Sequence, residues 1–387
     1  MVYLFFLFYS QAYFYFLGKY STKLHEYYLL LTPIILLWVI IIGGQYNVGT
    51  DYFSYMKLFV GREGLSRYID NGELLFVFLI QSCHNIGIYG QGILLVIVFI
   101  EAILYFYISQ LIVSNKNIWV LFVVYICFLT IFNNQMNGIR QYFAMYFFTL
   151  SVLKMLNRNY IVMSLLMLAS VLIHKSALLL SLFLLLFFFL KNIRTPKILY
   201  LIIIVGVIIS AAPLYNSFIG FIMEYSFYDG YIENGYIQEV GINDKLIKYA
   251  FVPIFMYSIG KVKFLEIPCF HRYLFVIGII SFSVRLMALN LSLTNRFGMY
   301  FEFLMCIPLV YLIITLKRQS TFKFLSLLLF IYMVYALKVT LFAKGEYLYV
   351  NSTLAVSNIR NRTYTDYEVY LIDYGYGNFK EKIHFME

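Results

Sequence analysis

Apolar stretches long enough to cross a bilayer recur from residue 2 to residue 343, and no other feature restricts the fold so strongly. They fall near 2–17, 27–44, 92–113, 118–132, 140–156, 160–173, 176–190, 198–214, 246–260, 273–291, 296–316 and 321–343. Backbone N–H and C=O groups find no water in hydrocarbon, so such runs must satisfy them internally, as helices. The expected fold is an all-α polytopic membrane protein with about 12 transmembrane helices. A soluble globular domain is excluded, because only 12% of the residues are charged, against about 25% in ordinary soluble proteins. No basic segment precedes the first run and it has no A-x-A-like site, so it is expected to stay as a helix rather than leave as a signal peptide.

Orientation follows from the loops. Lys19, Lys23, Lys116, Lys154, Arg158, Lys191, Arg194, Lys197, Lys261, Lys263, Arg272, Lys317, Arg318 and Lys323 occupy one set of alternate loops, fourteen bases in all. The opposite set holds eight: Lys57, Arg62, Arg67, Arg140, Lys175, Lys245, Lys248 and Arg296. By the positive-inside rule the first set is cytoplasmic and both termini face outward. This assignment requires the apolar but short segment 73–82 to be re-entrant or interfacial, because a span there would invert every later loop. The net charge of +10 is therefore a signal of orientation, and no nucleic-acid partner is expected. Cysteines 83, 127, 269 and 306 form no CxxC pair, so neither a metal site nor a disulfide framework is expected.

Two outer segments are large. Residues 45–91 hold Asp51, Arg62, Glu63, Arg67, Asp70 and Glu73, and residues 215–245 carry Glu224, Asp229, Glu233, Glu239 and Asp244 among many Tyr, Gly and Asn. Tyr faces stack on sugar rings and carboxylates accept sugar hydroxyls, although a solvated loop has the same composition. Residues 1–343 are read as one membrane domain, followed by a polar, Tyr-rich tail over 344–387.

Charges within or at the mouth of a span are costly, so each is a functional candidate with a structural alternative beside it. Arg140 opens a span after the polar turn Asn133-Asn134-Gln135-Met136-Asn137-Gly138, with Gln141 next to it. A guanidinium there can hold a phosphate bidentately, or it can snorkel to lipid headgroups. An unbroken helix over 160–190 would be about 45 Å long, so the chain is expected to turn at His174-Lys175, on the outer side. His174 there is a proton acceptor and Lys175 a phosphate ligand, or the pair is only a polar turn. Arg285 lies in mid-span, where it binds an anion or pairs internally with Glu101 or Glu302, while Arg296 opens the next span and is better placed for ligand. Asp51, in Gly49-Thr50-Asp51-Tyr52, is a base or sugar ligand, or it caps the helix that begins at Tyr52. No Ser-His-Asp order, phosphate-binding Gly-rich loop or HExxH motif appears.

Taken in order, Gly49-Thr50-Asp51-Tyr52 with Tyr55, Ile139-Arg140-Gln141 with Ala144, His174-Lys175-Ser176-Ala177, and Asn295-Arg296-Phe297 with Tyr300-Phe301 resemble the EpsG-like branch of the Wzy-type polysaccharide polymerases. The likeness runs from about 45 to 301. What the resemblance implies is a polymerase of the bacterial inner membrane, in an O-antigen, capsule or exopolysaccharide pathway. Such a protein is GT-C-like in fold and joins repeat units carried on undecaprenyl diphosphate at the outer face. It uses neither a nucleotide-sugar site nor an obligatory metal or other cofactor, and a chain-length regulator is a partner to expect. On this reading Arg140, Gln141, Lys175, Arg285, Arg296 and Tyr52 bind substrate or its diphosphate, and Asp51 or His174 is the base. A lipid-linked oligosaccharide flippase, an O-antigen ligase and a membrane O-acyltransferase are the rival classes. A flippase needs charges along a path open to both sides, whereas the unusual polar residues here concentrate at the outer end.

Overall fold

The computed structural model describes residues 2–20, 24–45, 48, 51–128, 131–211, 242–289 and 292–342. The tail over 344–387 and most of the outer segment 215–245 lie outside them. Among the described residues every regular element is helical. Two compact units emerge. One is drawn from the described residues of Met1–Leu150, Ser164–Leu178 and Tyr332–Glu387, the other from those of Ser151–Met163 and Leu179–Ile331.

The first unit begins with α1 (Val2–Tyr20) and α2 (Leu24–Trp38), which runs into a π-helical turn, Val39–Gly43. Short helices α3 (Tyr52–Gly61), α4 (Leu65–Asp70) and α5 (Leu74–Asn85) follow, then the long α6 (Gln91–Ile112). Next come α7 (Ile118–Cys127), α8 (Ile131–Asn137), α9 (Ile139–Leu156) and α10 (Tyr160–Ile173), of which residues 151–163 belong to the second unit. Much of the chain's wealth of Tyr and Phe is used in this core. Trp38 is fully buried, with the rings of Phe6, Tyr105, Phe122, Tyr125 and Phe132 around it at centroid distances of 4.9 to 6.5 Å. Edge-on and tilted pairs of this kind add to the packing, which a membrane interior needs because lipid removes the hydrophobic drive.

The second unit holds α11 (Leu180–Leu190), α12 (Pro196–Ala211), α13 (Ile242–Tyr249), α14 (Val252–Lys261), α15 (Cys269–Met287), α16 (Ser292–Gly298) and α17 (Glu302–Gln319). The last helix, α18 (Thr321–Phe342), starts here and ends in the first unit. Small residues set how closely these helices approach. Gly206 faces Ser283, whose Oγ donates to the Ile202 carbonyl at 2.7 Å, and Gly278 faces Pro308. Glycine contacts of this sort let backbones meet at short range.

In each unit large apolar side chains are turned outward, among them Phe5, Phe8 and Phe78 in the first and Ile161, Leu182 and Phe189 in the second. Such an exterior suits acyl chains rather than water. The protein is a membrane protein, and among the described residues three helices are long and apolar enough to cross a bilayer: Gln91–Ile112, Cys269–Met287 and the continuous stretch Thr294–Gln319. Apolar helices of 10–17 residues account for most of the other expected spans. Two of those expected spans are not single helices. The run 118–132 is divided between α7 and α8, and 246–260 between α13 and α14, where Pro253 enters the first turn of α14 and lacks the N–H to continue a helix through it. Helix α5, at 12 residues, is about 18 Å long, well short of a hydrocarbon core of about 30 Å.

Candidate functional site

The focus of the first unit is a residue that the charge pattern alone did not single out, Glu73. Helix α4 ends in a Schellman arrangement: the N–H of Glu73 donates to the Tyr68 carbonyl and that of Gly72 to the Ile69 carbonyl, both at 2.9 Å. Gly72 has φ +75°, the left-handed geometry this cap requires and that a side chain disfavours. The turn delivers Glu73 to the start of α5 with its side chain only 1% exposed.

Helices α9 and α10 bring the other members. Ser170 Oγ donates to the Ala144 carbonyl at 2.8 Å. Arg140 lies four residues before Ala144 and His174 four residues after Ser170, so each projects from the same face one turn beyond that bond. Both then reach Glu73. Arg140 Nη1 donates to Oε2, and His174 Nδ1 lies 2.8 Å from Oε1, which also accepts the Lys175 backbone N–H at 3.2 Å. Lys175 Nζ donates to Asn71 Oδ1 at 2.5 Å, two residues before the carboxylate. The guanidinium is caged by rings, 4.5 Å from the centroid of Tyr68, 5.7 Å from Phe76 and 5.9 Å from Tyr55, and Arg140 Nε donates to the Tyr55 hydroxyl at 3.4 Å.

Electrostatics follow from these contacts. Burial alone would push the Glu73 carboxyl up, but the His174 hydrogen bond, the Arg140 charge and the Lys175 N–H outweigh it and hold the group below its ordinary value. Burial holds the His174 imidazole below its ordinary value, Arg140 and Lys175 act the same way, and Glu73 opposes them. At neutral pH the cluster therefore pairs an ionised carboxylate with a neutral imidazole, flanked by two cations. The imidazole keeps 21% of its exposure and Arg140 20%, so both can be reached.

Asp51 stands at the N-cap position of α3 without a capping bond from its side chain. Its backbone N–H donates to Asn137 Oδ1 at 2.9 Å, which fixes it to the turn that precedes Arg140. Gln141 is buried on α9. Tyr52 is buried too, and its hydroxyl donates to Gln91 Oε1 at 2.8 Å. The Gln91 amide in turn donates to the Gly43 and Gln45 carbonyls, so Tyr52 braces the end of the π-helical turn.

In the second unit, Arg285 has Glu302 as its carboxylate. The Arg285 side chain also donates from Nη1 to the Asn295 carbonyl at 3.1 Å and to Asn295 Oδ1 at 2.5 Å. Of the two acids weighed from the sequence, Glu101 belongs instead to the first unit, where its Oε2 accepts from Gln135 at 2.7 Å. Lys248 is buried and reaches the same Asn295 Oδ1 at 3.2 Å, a placement the sequence pattern did not suggest. Arg296 is exposed on α16.

Thus Arg140, His174 and Lys175 are gathered on one carboxylate and Asp51 is tied to the adjoining turn, while Arg285 sits in a separate buried pair. Glu73 could have been found only as a lone acid directly before an apolar run, a weak signal.

No curated protein and no solved structure matches the chain. The model of the EpsG family matches residues 27–354, a stretch that contains every residue of both clusters. The chain belongs to the EpsG family, the family of Wzy-like polysaccharide polymerases.

Proposed function

We propose that the protein joins oligosaccharide repeat units carried on undecaprenyl diphosphate, at the outer face of the bacterial inner membrane, by glycosyl transfer. Family membership supports a polysaccharide polymerase, and the observation that carries the chemistry is the gathering of Arg140, His174 and Lys175 around Glu73. A diphosphate leaving group needs positive charge where its bond breaks, and fixed cations supply it without reorganisation. Lys175 and Arg140 provide this at the first-unit cluster, while in the second unit the exposed Arg296 is the phosphate-binding candidate and Arg285 is committed to Glu302. A sugar hydroxyl of the acceptor attacks, and its proton passes to a base, Asp51 or His174. Tyr52 and Gln141 support the substrate-facing surface from beneath. The about 12 crossings and the GT-C-like architecture expected from the sequence belong to this proposal, as does a chain-length regulator as partner.

The experiment is the length profile of surface glycan from cells lacking the gene, with plasmid-borne wild type as control. Loss of polymer with a single repeat still reaching the surface, and a ladder restored by the plasmid, supports polymerisation. Absence of any repeat at the surface favours a flippase, and polymer accumulating on the lipid diphosphate favours a ligase.

A further inference from the structure

The contact between His174 Nδ1 and Glu73 Oε1 decides more than proximity. An ionised carboxylate can only accept, so Nδ1 carries the proton and the lone pair of the neutral ring lies on Nε2. The carboxylate is itself fixed by Arg140 on its other oxygen and by the Lys175 N–H, and its side chain is 1% exposed. An imidazole whose one nitrogen is held by a buried carboxylate, so that the other faces the reaction as a base, is the arrangement in which the carboxylate sets tautomer and orientation.

We infer that Glu73 is the positioning residue that makes His174, rather than Asp51, the general base of the transfer, an inference that rests on the polymerase reading above. In the step, the acceptor hydroxyl oxygen forms a bond to the anomeric carbon of the donor sugar. The bond from that carbon to the diphosphate oxygen breaks, and its electron pair leaves with the lipid diphosphate. The hydroxyl proton passes to His174 Nε2. The imidazolium so formed faces the Glu73 carboxylate, which offsets its charge without taking the proton. Arg140 then acts through Glu73, keeping the carboxylate ionised and in place. Lys175 Nζ is held by an amide oxygen, Asn71 Oδ1, and in this step its charge serves the leaving diphosphate. The charged groups that face the imidazole are Glu73 from the start of α5, Arg140 from α9 and Lys175 from its own turn.

Glu73→Gln is the decisive variant. Its amide either turns NH2 to Nδ1, which favours the wrong tautomer and meets the Lys175 N–H donor to donor, or turns NH2 to Arg140 donor to donor; in both cases the negative charge facing the imidazole is lost. Purified wild type and variant, confirmed as folded by gel filtration, are assayed for polymerisation of a lipid-diphosphate-linked repeat across pH. The expected result is a kcat loss on the order of 10²–10⁴-fold with KM within about threefold, and an acid limb moved to lower pH because the imidazolium has lost its counter-ion. Wild-type kcat and pH profile in Glu73→Gln would overturn the inference. Should that variant fail to fold, ¹⁵N-histidine NMR of the wild type, with His174→Gln used to assign the ring, reads the tautomer directly. A ring protonated at Nδ1 supports the pair and one protonated at Nε2 overturns it. Absence of polymer from the wild type itself would sink the polymerase reading, while the NMR result still judges the pair.

Discussion

Arg285 Nε and Nη2 both reach a single oxygen of Glu302, at 3.0 and 2.9 Å, with the two side chains 1% and 0% exposed. A buried pair of this kind is expensive to assemble and more expensive to break, because removing one partner strands the other charge in a low-dielectric interior. Arg285→Leu or Glu302→Gln alone should therefore destabilise the folded protein by about 3–5 kcal/mol. Replacing both at once, by Met and Leu, should restore most of that loss. Thermal unfolding in detergent reads the difference, and equal damage from the single and double changes would show that the pair is not the reason.

Close helix contact in the same unit makes a second expectation. A Cβ at Gly278 would stand 2.9 Å from the Leu304 carbonyl and would run into the Pro308 ring. Neither backbone nor ring can give way cheaply, so Gly278→Ala should cost about 1–3 kcal/mol. A melting temperature unchanged from wild type would mean that α15 and α17 are less tightly apposed than described.

Acid stability follows from Glu73 and His174. Both have folded-state values below their ordinary ones, so both contribute stability that is fully present above the unfolded values and lost as pH falls through the folded ones. The imidazole is the first to matter, because its unfolded value is near 6.5. The unfolding temperature should be flat from pH 8 to about 7, then fall progressively below about 6.5, with a further loss as Glu73 protonates below its usual carboxylate range. His174→Gln should reduce the first part of that fall, to which His84 and His271, also held low by burial, contribute, and should shrink the second, because the His174 hydrogen bond helps hold Glu73 low. A profile with the first loss intact in the variant would assign it elsewhere.

Tyr52 braces the fold through Gln91. Tyr52→Phe deprives the buried Gln91 Oε1 of its donor, for a loss of about 1–3 kcal/mol in stability, with KM for the lipid-linked repeat unchanged at permissive temperature. A raised KM in a variant of wild-type stability would return Tyr52 to the substrate.

How much of this was legible in the sequence depends on distance along the chain. Arg140, His174 and Lys175 stand out because a charge within an apolar run is costly wherever the helices pack, and the expected break at His174 follows from length alone. The Arg285 pair was narrowed to two acids because Glu101 and Glu302 are the carboxylates deep in apolar runs, and only packing could choose Glu302. Glu73 was hidden for a different reason. Its partners are 67 and 101 residues away, and nothing in a local window says that the turn after α4 will meet the ends of α9 and α10. The motif around Asp51 implies a substrate role for Tyr52 and does not reveal the bond of its hydroxyl to Gln91, 39 residues on. The divided spans at 118–132 and 246–260 reflect the limits of hydropathy, which sums apolar character but does not register a local break such as that at Pro253.

The most direct test of the central claim is polymerisation by the purified protein, given a lipid-diphosphate-linked repeat unit and no nucleotide sugar, resolved as a ladder on a gel. The account predicts a ladder for wild type, and for His174→Gln and Lys175→Gln at equal protein amount a single unextended band, since the base or the leaving-group cation is gone. A full ladder from His174→Gln and Lys175→Gln alike would contradict it and move the chemistry away from the Glu73 cluster.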